Sequence, residues 1–242
     1  LLARTIESVL AAASVLQAEQ DGCGVEVIVV DNDSTDGTAA VAEEYRSDAR
    51  VTLLLCTQLG SALARNAGAR QSLGGVLVFL DADTLMPATA LQQIVAHCTS
   101  GRYLAGMTGL ASAETGRRAQ CWWWFWNQVR RLPLPRAKGM PALMFCTRAA
   151  FTQFGPFDED VSIGEEWPIL AGVYRADRQR FIYDRTIIAR SSSRRMELQR
   201  FGYLRTFGRY VWAVLHRSGR IAYPDTVRHQ HTTCQESDHA DR

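Results

Sequence analysis

Val76-Leu77-Val78-Phe79-Leu80-Asp81-Ala82-Asp83 decides the fold: an apolar run ends in two acids separated by one residue. Such a run, bounded by polar residues, reads as a buried strand that delivers Asp81 and Asp83 to its C-terminal edge. Side chains two positions apart on an extended segment point the same way, so both carboxylates can face one ligand. Hard oxygen donors in that pattern suit magnesium or manganese, and a metal-bound diphosphate is the natural guest. The plainer alternative is a helix cap, with Asp83 or Thr84 opening the helix that Pro87 begins.

The same pattern occurs upstream. Val25 to Val30 is a second apolar strand, and it ends in Asp31-Asn32-Asp33-Ser34-Thr35-Asp36-Gly37-Thr38 before the helical stretch Ala39 to Arg46. Ligands of open parallel sheets bind outside the carboxyl ends of the strands, so both acidic turns should open onto one crevice. Gly60, Arg65, Asn66 and Gly68 lie on or beside a helical segment between the two strands, and Arg65 is placed to reach phosphate. Further strands are predicted at Val51 to Leu55, Leu104 to Leu110, Ala142 to Cys146 and Arg180 to Ala189. Helices are predicted at Leu1 to Gln17, Thr38 to Arg46, Ser61 to Ser72, Ala88 to Cys98, Arg117 to Arg131, Arg148 to Phe154, Pro168 to Arg175 and Arg195 to Arg217. This alternation predicts an α/β fold with a mostly parallel central sheet flanked by helices.

At 242 residues and 47% hydrophobic content the chain can bury a substantial core. One domain is expected over residues 1–223, followed by a polar tail, 224–242, predicted to be disordered. His229, His231, Cys234 and His239 in that tail have no apolar framework to make them a metal site. The six cysteines show no CxxC or metal-site spacing, which favours a reducing, cytoplasmic setting over a disulfide scaffold. No apolar run is long enough to span a bilayer. The net charge of +2 conceals an asymmetry: residues 1–116 hold 6 Lys/Arg against 13 Asp/Glu, whereas residues 117–242 hold 21 against 12. An acidic half suits metal and nucleotide sugar; a basic half suits a phosphate-bearing or membrane-surface partner, and no nucleic-acid partner is expected.

Trp122-Trp123-Trp124-Phe125-Trp126 lies between Arg117-Arg118 and Arg130-Arg131. On a helix, Trp122, Phe125, Trp126 and Val129 share a face, while Trp123 and Trp124 project elsewhere. Exposure of Trp123 or Trp124 would suit a peripheral membrane contact at the inner face, a stacking platform for acceptor sugar, or a homodimer. Burial beneath the C-terminal helices is the alternative.

Four blocks, VDNDSTDGT at 30–38, ARNAG at 64–68, VLVFLDADT at 76–84 and FGPFDEDVSIGEEW at 154–167, resemble in order and spacing the inverting family 2 glycosyltransferases with the GT-A fold. The resemblance covers most of residues 1–195. It implies a nucleotide-diphosphate sugar donor, with UDP the commonest nucleotide, and transfer to a saccharide or lipid-linked acceptor. It further implies a divalent metal, Mn or Mg, held by Asp83 with help from Asp81. Asp31, Asp33, Arg65 and Asp81 would bind the nucleotide sugar. Members of the family open with a strand ending in a Pro-x-Tyr-Asn-Glu-like turn, whereas this chain opens at Leu1 inside a helix; the resemblance therefore implies truncation at the N-terminus.

Within the last block, the family usually has Glu-Asp at a helix start, with the second acid as catalytic base. Here the pair is Glu165-Glu166, so Glu166 aligns with the base and Glu165 stands beside it, one methylene longer than the family pattern at the second position. Ser191-Ser192-Ser193-Arg194-Arg195 resembles a Ser-x-Arg segment in part of the family, and Arg194 is the candidate for a diphosphate or phosphorylated acceptor. The Gln-x-x-Arg-Trp motif of processive relatives is absent, which points to non-processive transfer. Two alternatives stand beside this reading. One is a non-catalytic nucleotide-sugar binding fragment; the other is a haloacid-dehalogenase-type phosphohydrolase, whose pattern wants Thr or Val where this chain has Leu85.

Overall fold

The amphipathic stripe of the first helix fixes its orientation. In the computed structural model, which describes residues 1–161, 163–198 and 201–216, helix α1 (Leu2–Glu19) buries Ile6, Ala12, Ala13 and Leu16 on one side. Two polar residues on it brace the turn after the deciding strand. Thr5 Oγ1 donates to the Ala82 carbonyl at 3.0 Å, and Ser8 Oγ accepts from the Met86 amide at 3.0 Å.

The chain then alternates: β1 (Val27–Asp31), α2 (Thr38–Glu43), β2 (Val51–Leu55), α3 (Ser61–Gln71), β3 (Val76–Leu80), β4 (Thr84–Leu85), α4 (Ala90–Thr99), β5 (Ala105–Ser112), α5 (Arg117–Val129), β6 (Leu143–Thr147), α6 (Arg148–Phe154), α7 (Trp167–Ala176), β7 (Phe181–Ser191), α8 (Arg194–Leu198) and α9 (Gly202–His216). The expected strands are all present, each within a few residues of its predicted bounds. β1 and β2 pair in parallel, and the remaining strands form a sheet in the order β3-β6-β5-β7-β4.

The sheet is less parallel than the alternation of elements predicted. β5 runs parallel to β7, but β6 is antiparallel to both β3 and β5, and β4 is antiparallel to β7. The reason lies in the segment after α5. It is a loop with a 3-10 turn at Pro135–Ala137 rather than a crossover helix, and it feeds β6 from the far edge. Along β6, side chains alternate between two cores. Leu143 and Phe145 pack with Leu16, Ile94 and Trp126 on one face, whereas Met144 and Cys146 pack with Phe157, Ile169 and Leu170 on the other. β3, β5 and β7 therefore end on one edge, carrying Asp81, Ser112 and Ser191.

Of two other expectations, one is corrected and one is met in part. The helix predicted at Arg195 to Arg217 is interrupted: α8 ends at Leu198, and α9 begins after Phe201, whose φ is +61°. The tryptophan cluster is mostly core. Trp122, Trp123 and Trp126 are buried, and Trp123 Nε1 donates to Ser193 Oγ at 3.0 Å, so a residue expected off the buried face is drawn in by a hydrogen bond. Trp126 packs edge-on against Tyr210 at 4.4 Å and Trp122 at 5.5 Å. Trp124, by contrast, is 65% exposed. The polar stretch 224–242, with its histidines and Cys234, lies outside the described residues.

Trp126→Ala should therefore cost about 3–5 kcal/mol in urea unfolding, the range for truncating a large buried aromatic. Trp124→Ala should stay within about 0.5 kcal/mol of the parent, as an exposed substitution does.

Candidate active site

Asp31 closes β1 and is buried, and its Oδ1 has no hydrogen-bond partner. A buried carboxylate oxygen left unpaired is costly, so a donor group from a ligand would find a ready acceptor there. Asn32, the next residue, shapes the crevice wall. Its Oδ1 accepts from the Gly60 amide at 2.7 Å, and its Nδ2 donates to the carbonyls of Cys56 and Gln58. Asp33 is exposed with φ of +56°, a conformation that Asp tolerates better than most residues. Asn32 thereby ties the first acidic turn to the start of α3.

From that start the bonding continues to the second acidic turn. Ser61 Oγ donates to Glu165 Oε1 at 2.9 Å, and Arg65, one turn on, reaches two acids at once. Its Nη1 meets Glu165 Oε1 at 2.7 Å, and its Nη2 meets Asp81 Oδ1 at 2.6 Å. Burial disfavours the Arg65 charge, but Asp81, Glu165 and Glu166 outweigh it and hold its pKa above the ordinary guanidinium value. Arg65, expected at phosphate, is thus placed as a bridge between the strand-end acid and the helix-start pair. Asn66 secures the partner loop: its side chain bonds both the amide and the carbonyl of Phe157, at 2.9 and 3.0 Å.

Glu166 caps α7, which opens with Trp167-Pro168, as the sequence led one to expect. The turn into it needs Gly164, whose φ is +84° and whose position leaves no space beside the Trp167 ring for a side chain. Glu166 Oε1 accepts from the Met140 amide at 2.7 Å. That amide is held in place by two buried cations. Arg130 donates to the carbonyls of Gly139 and Met140, and Lys138 Nζ donates to those of Arg130 and Leu132. Burial, then the neighbouring Glu165 charge, push the Glu166 carboxyl up to about 7, against the pull of the Met140 amide and Arg65. A carboxyl poised near neutrality is suited to exchange a proton at working pH.

The third strand end closes the crevice. Glu114 accepts from the Ser193 amide, Ser192 Oγ and Ser112 Oγ, fixing the segment after β7, and the Ser192 amide donates to the Asp83 carbonyl at 3.2 Å. Arg194 is exposed at the start of α8. Its charge contributes to holding Asp36 below the usual carboxylate range, after the Thr38 hydroxyl and amide.

The structure therefore links Arg65, Asp81 and Glu165 by ion pairs, with Glu166 next in the chain; Asp31 joins them only through its neighbour Asn32 and the Gly60-Ser61 helix start, while Asp33 and Arg194 are exposed. Sequence reasoning missed Asn32, Ser61, Arg130 and Lys138. The first two belong to polar turns with no special spacing. The last two sit in a basic stretch that reads as solvated. Among the described residues, no group of three or more His, Cys, Asp or Glu converges as a metal cage; Asp81 and Asp83 lie in a turn rather than the extended segment expected, and one Asp81 oxygen is held by Arg65.

Arg65→Met should lower stability by about 2–4 kcal/mol, less than the 3–5 of a fully buried pair because the Asp81 side chain is 38% exposed. Glu166 acts in the opposite sense. Its folded pKa lies above the unfolded one, so the folded state holds the proton longer, and stability is withdrawn as pH rises from the ordinary carboxylate range toward 7. Urea titrations should show Glu166→Gln more stable than the parent at pH 8 and the difference shrinking toward pH 5.

Over 60 residues, 24% of this chain and 20% of the relative, the sequence is 47% identical to the glycosyltransferase AglE of Haloferax volcanii. The structure superposes on the mannosyltransferase PcManGT from Pyrobaculum calidifontis, solved with GDP-Man and Mn2+, with a TM-score of 0.53 at 22% identity, covering 86% of this chain and 60% of that one. It superposes also on glucosyl-3-phosphoglycerate synthase from Mycobacterium tuberculosis, solved with Mn2+, UDP and glucosyl-3-phosphoglycerate, with a TM-score of 0.57 at 19% identity, covering 90% and 76%. At these identities the superpositions establish the GT-A fold. The profile of glycosyl transferase family 2 matches residues 1–160, and the chain belongs to that family.

Proposed function

We propose that the protein transfers a sugar from a nucleotide-diphosphate donor, UDP-sugar foremost, to an acceptor hydroxyl, with inversion and without processivity. The observation that carries this reading is the tract from Asp31 through Arg65 to Glu165-Glu166. The ion pairs of Arg65 with Asp81 and Glu165, and the unpaired Asp31 oxygen at the end of β1, support a nucleotide site and a proton acceptor at the carboxyl ends of the strands. Asp31 would accept a hydrogen bond from the nucleotide. Arg194, exposed at the start of α8, would meet the diphosphate or a phosphorylated acceptor.

Asp81 and Asp83 carry the oxygen donors that manganese and magnesium take, and a bound diphosphate would complete their shell. The cation would offset charge gathering on the leaving diphosphate. PcManGT and the mycobacterial synthase were each solved with Mn2+, which supports a divalent metal for this chain as well.

Glu166 would take the acceptor proton as the hydroxyl oxygen bonds to the anomeric carbon and the bond to the diphosphate breaks. The Met140 amide orients one carboxylate oxygen for this, while the adjacent Glu165 charge raises its basicity. Glu165, engaged by Ser61 and Arg65, serves as the positioning residue. Cys23, Cys98, Cys121 and Cys146 are free thiols, but Cys56 is disulfide-bonded, so the cysteines do not support the reducing setting that their spacing suggested.

Glu166→Gln keeps size and polarity and removes basicity, so transfer of labelled sugar should fall by about 10²-fold or more while nucleotide affinity is kept. Glu165→Gln should lose less. UDP should bind more tightly with manganese than with EDTA, and Asp83→Asn should abolish the difference. Transfer by Glu166→Gln at the parental rate would return Glu166 to a helix-start role. Nucleotide binding without transfer to any acceptor would favour the binding-module alternative.

A further inference from the structure

Helix α9 has two faces with different chemistry. Tyr210 and Ala213 are buried, and the Tyr210 hydroxyl donates to the Arg136 carbonyl at 2.8 Å beside Gly139 and Glu166. The other face shows Leu204, Phe207, Val211 and Trp212 to solvent, with Leu204 at 68% exposure. Leu204, Phe207 and Val211 recur at three- and four-residue spacing and make one stripe, with Trp212 at its side. Phe207 meets Phe125 of α5 at 5.9 Å, and with Val129, Val211 and Val214 the two helices form an apolar groove of about 190 Å³. Phe125 is itself exposed, so the patch runs across both helices.

The two helices carry charge of one sign, and the nearby acid, Glu197 of α8, accepts from the Tyr203 hydroxyl on α9. Neither α5 nor α9 contains an Asp or Glu. Arg205 is exposed and Arg209 half-buried along the border next to Trp212, and exposed Arg118 lies two turns before Phe125 on the same face of α5. Basic residues bordering an exposed aromatic and aliphatic stripe match a lipid surface with anionic headgroups: the apolar stripe enters the acyl boundary while the arginines stay at headgroup level. A twofold contact between copies through the same face would bring Arg118, Arg205 and Arg209 of both together with no acid on either helix to offset them.

We infer that α9, with Phe125 of α5, docks the protein on an anionic membrane surface. The contact is the outer stripe of α9 rather than the Trp122–Trp126 cluster, most of which is core. Because Tyr210 on the same helix packs beside Glu166, docking holds the candidate active site close to the headgroup layer.

The test is flotation of the full chain with vesicles of phosphatidylcholine alone and with phosphatidylglycerol added, followed also by tryptophan emission. Binding should require phosphatidylglycerol, shift emission to the blue and weaken in high salt. Leu204→Glu and Arg205→Glu should each weaken partition by about fivefold or more, with unchanged thermal melting. Leu73→Glu, on a residue 90% exposed in the loop before β3, should leave partition as in the parent. Absence of binding, equal binding to both vesicle types, or parental binding by both α9 variants would overturn the inference. So would loss of a dimer in Leu204→Glu without any vesicle binding by the parent, which would assign the face to a second copy.

Discussion

The Arg65 guanidinium joins Asp81 at the end of β3 to Glu165 at the start of α7, and the geometry of the site depends on that bridge. The two acids are far apart in sequence and belong to different packing units: Asp81 follows an edge strand, whereas α7 packs over the second core with Phe157 and Leu170. Without the cation between them, Asp81, Glu165 and Glu166 would face one another across a poorly hydrated crevice. With it, Asp81 and Glu165 are both held by the guanidinium, and Glu166 is left with a raised proton affinity. Asn66, one residue along on α3, clamps the Phe157 loop, so helix α3 positions both the charge bridge and the segment leading into the acidic pair.

The glutamate pair departs from the Glu-Asp pattern by one methylene, and the surroundings of Glu166 accommodate the extra length. Gly139 lies against it with no room for a side chain: a Cβ there would sit 2.8 Å from Glu166 Oε1. Met140, at φ of +52°, turns its amide onto the same oxygen. That turn is secured from below by Arg130 and by Lys138, whose ammonium is pushed down to about 8 by burial. Buried cations satisfied by backbone carbonyls are an expensive way to hold a loop, and their presence beside Glu166 indicates that the loop position matters.

Much of this was legible in the sequence because it rests on local patterns. Apolar runs ending in acids gave β1 and β3 with their turns, and Trp167-Pro168 marked the start of α7 with the acids just ahead of it. Long-range hydrogen bonds have no such pattern. Nothing in the ARNAG block distinguishes an arginine that meets phosphate from one that bridges two carboxylates. Strand direction failed for β6 because alternation of elements does not reveal which edge a loop returns from. Trp123 was misplaced by helical periodicity because its indole N–H reaches Ser193 on a segment 70 residues away.

The central claim is that Glu166, raised in pKa by burial and by Glu165, is the group whose ionisation permits transfer. Its most direct test is the pH profile of kcat/KM for sugar transfer. The account predicts an acidic limb near pH 7 in the parent that moves to lower pH in Glu165→Gln, where the like charge is gone. A profile flat through this range, or an acidic limb unmoved in Glu165→Gln and still present in Glu166→Gln, would contradict it.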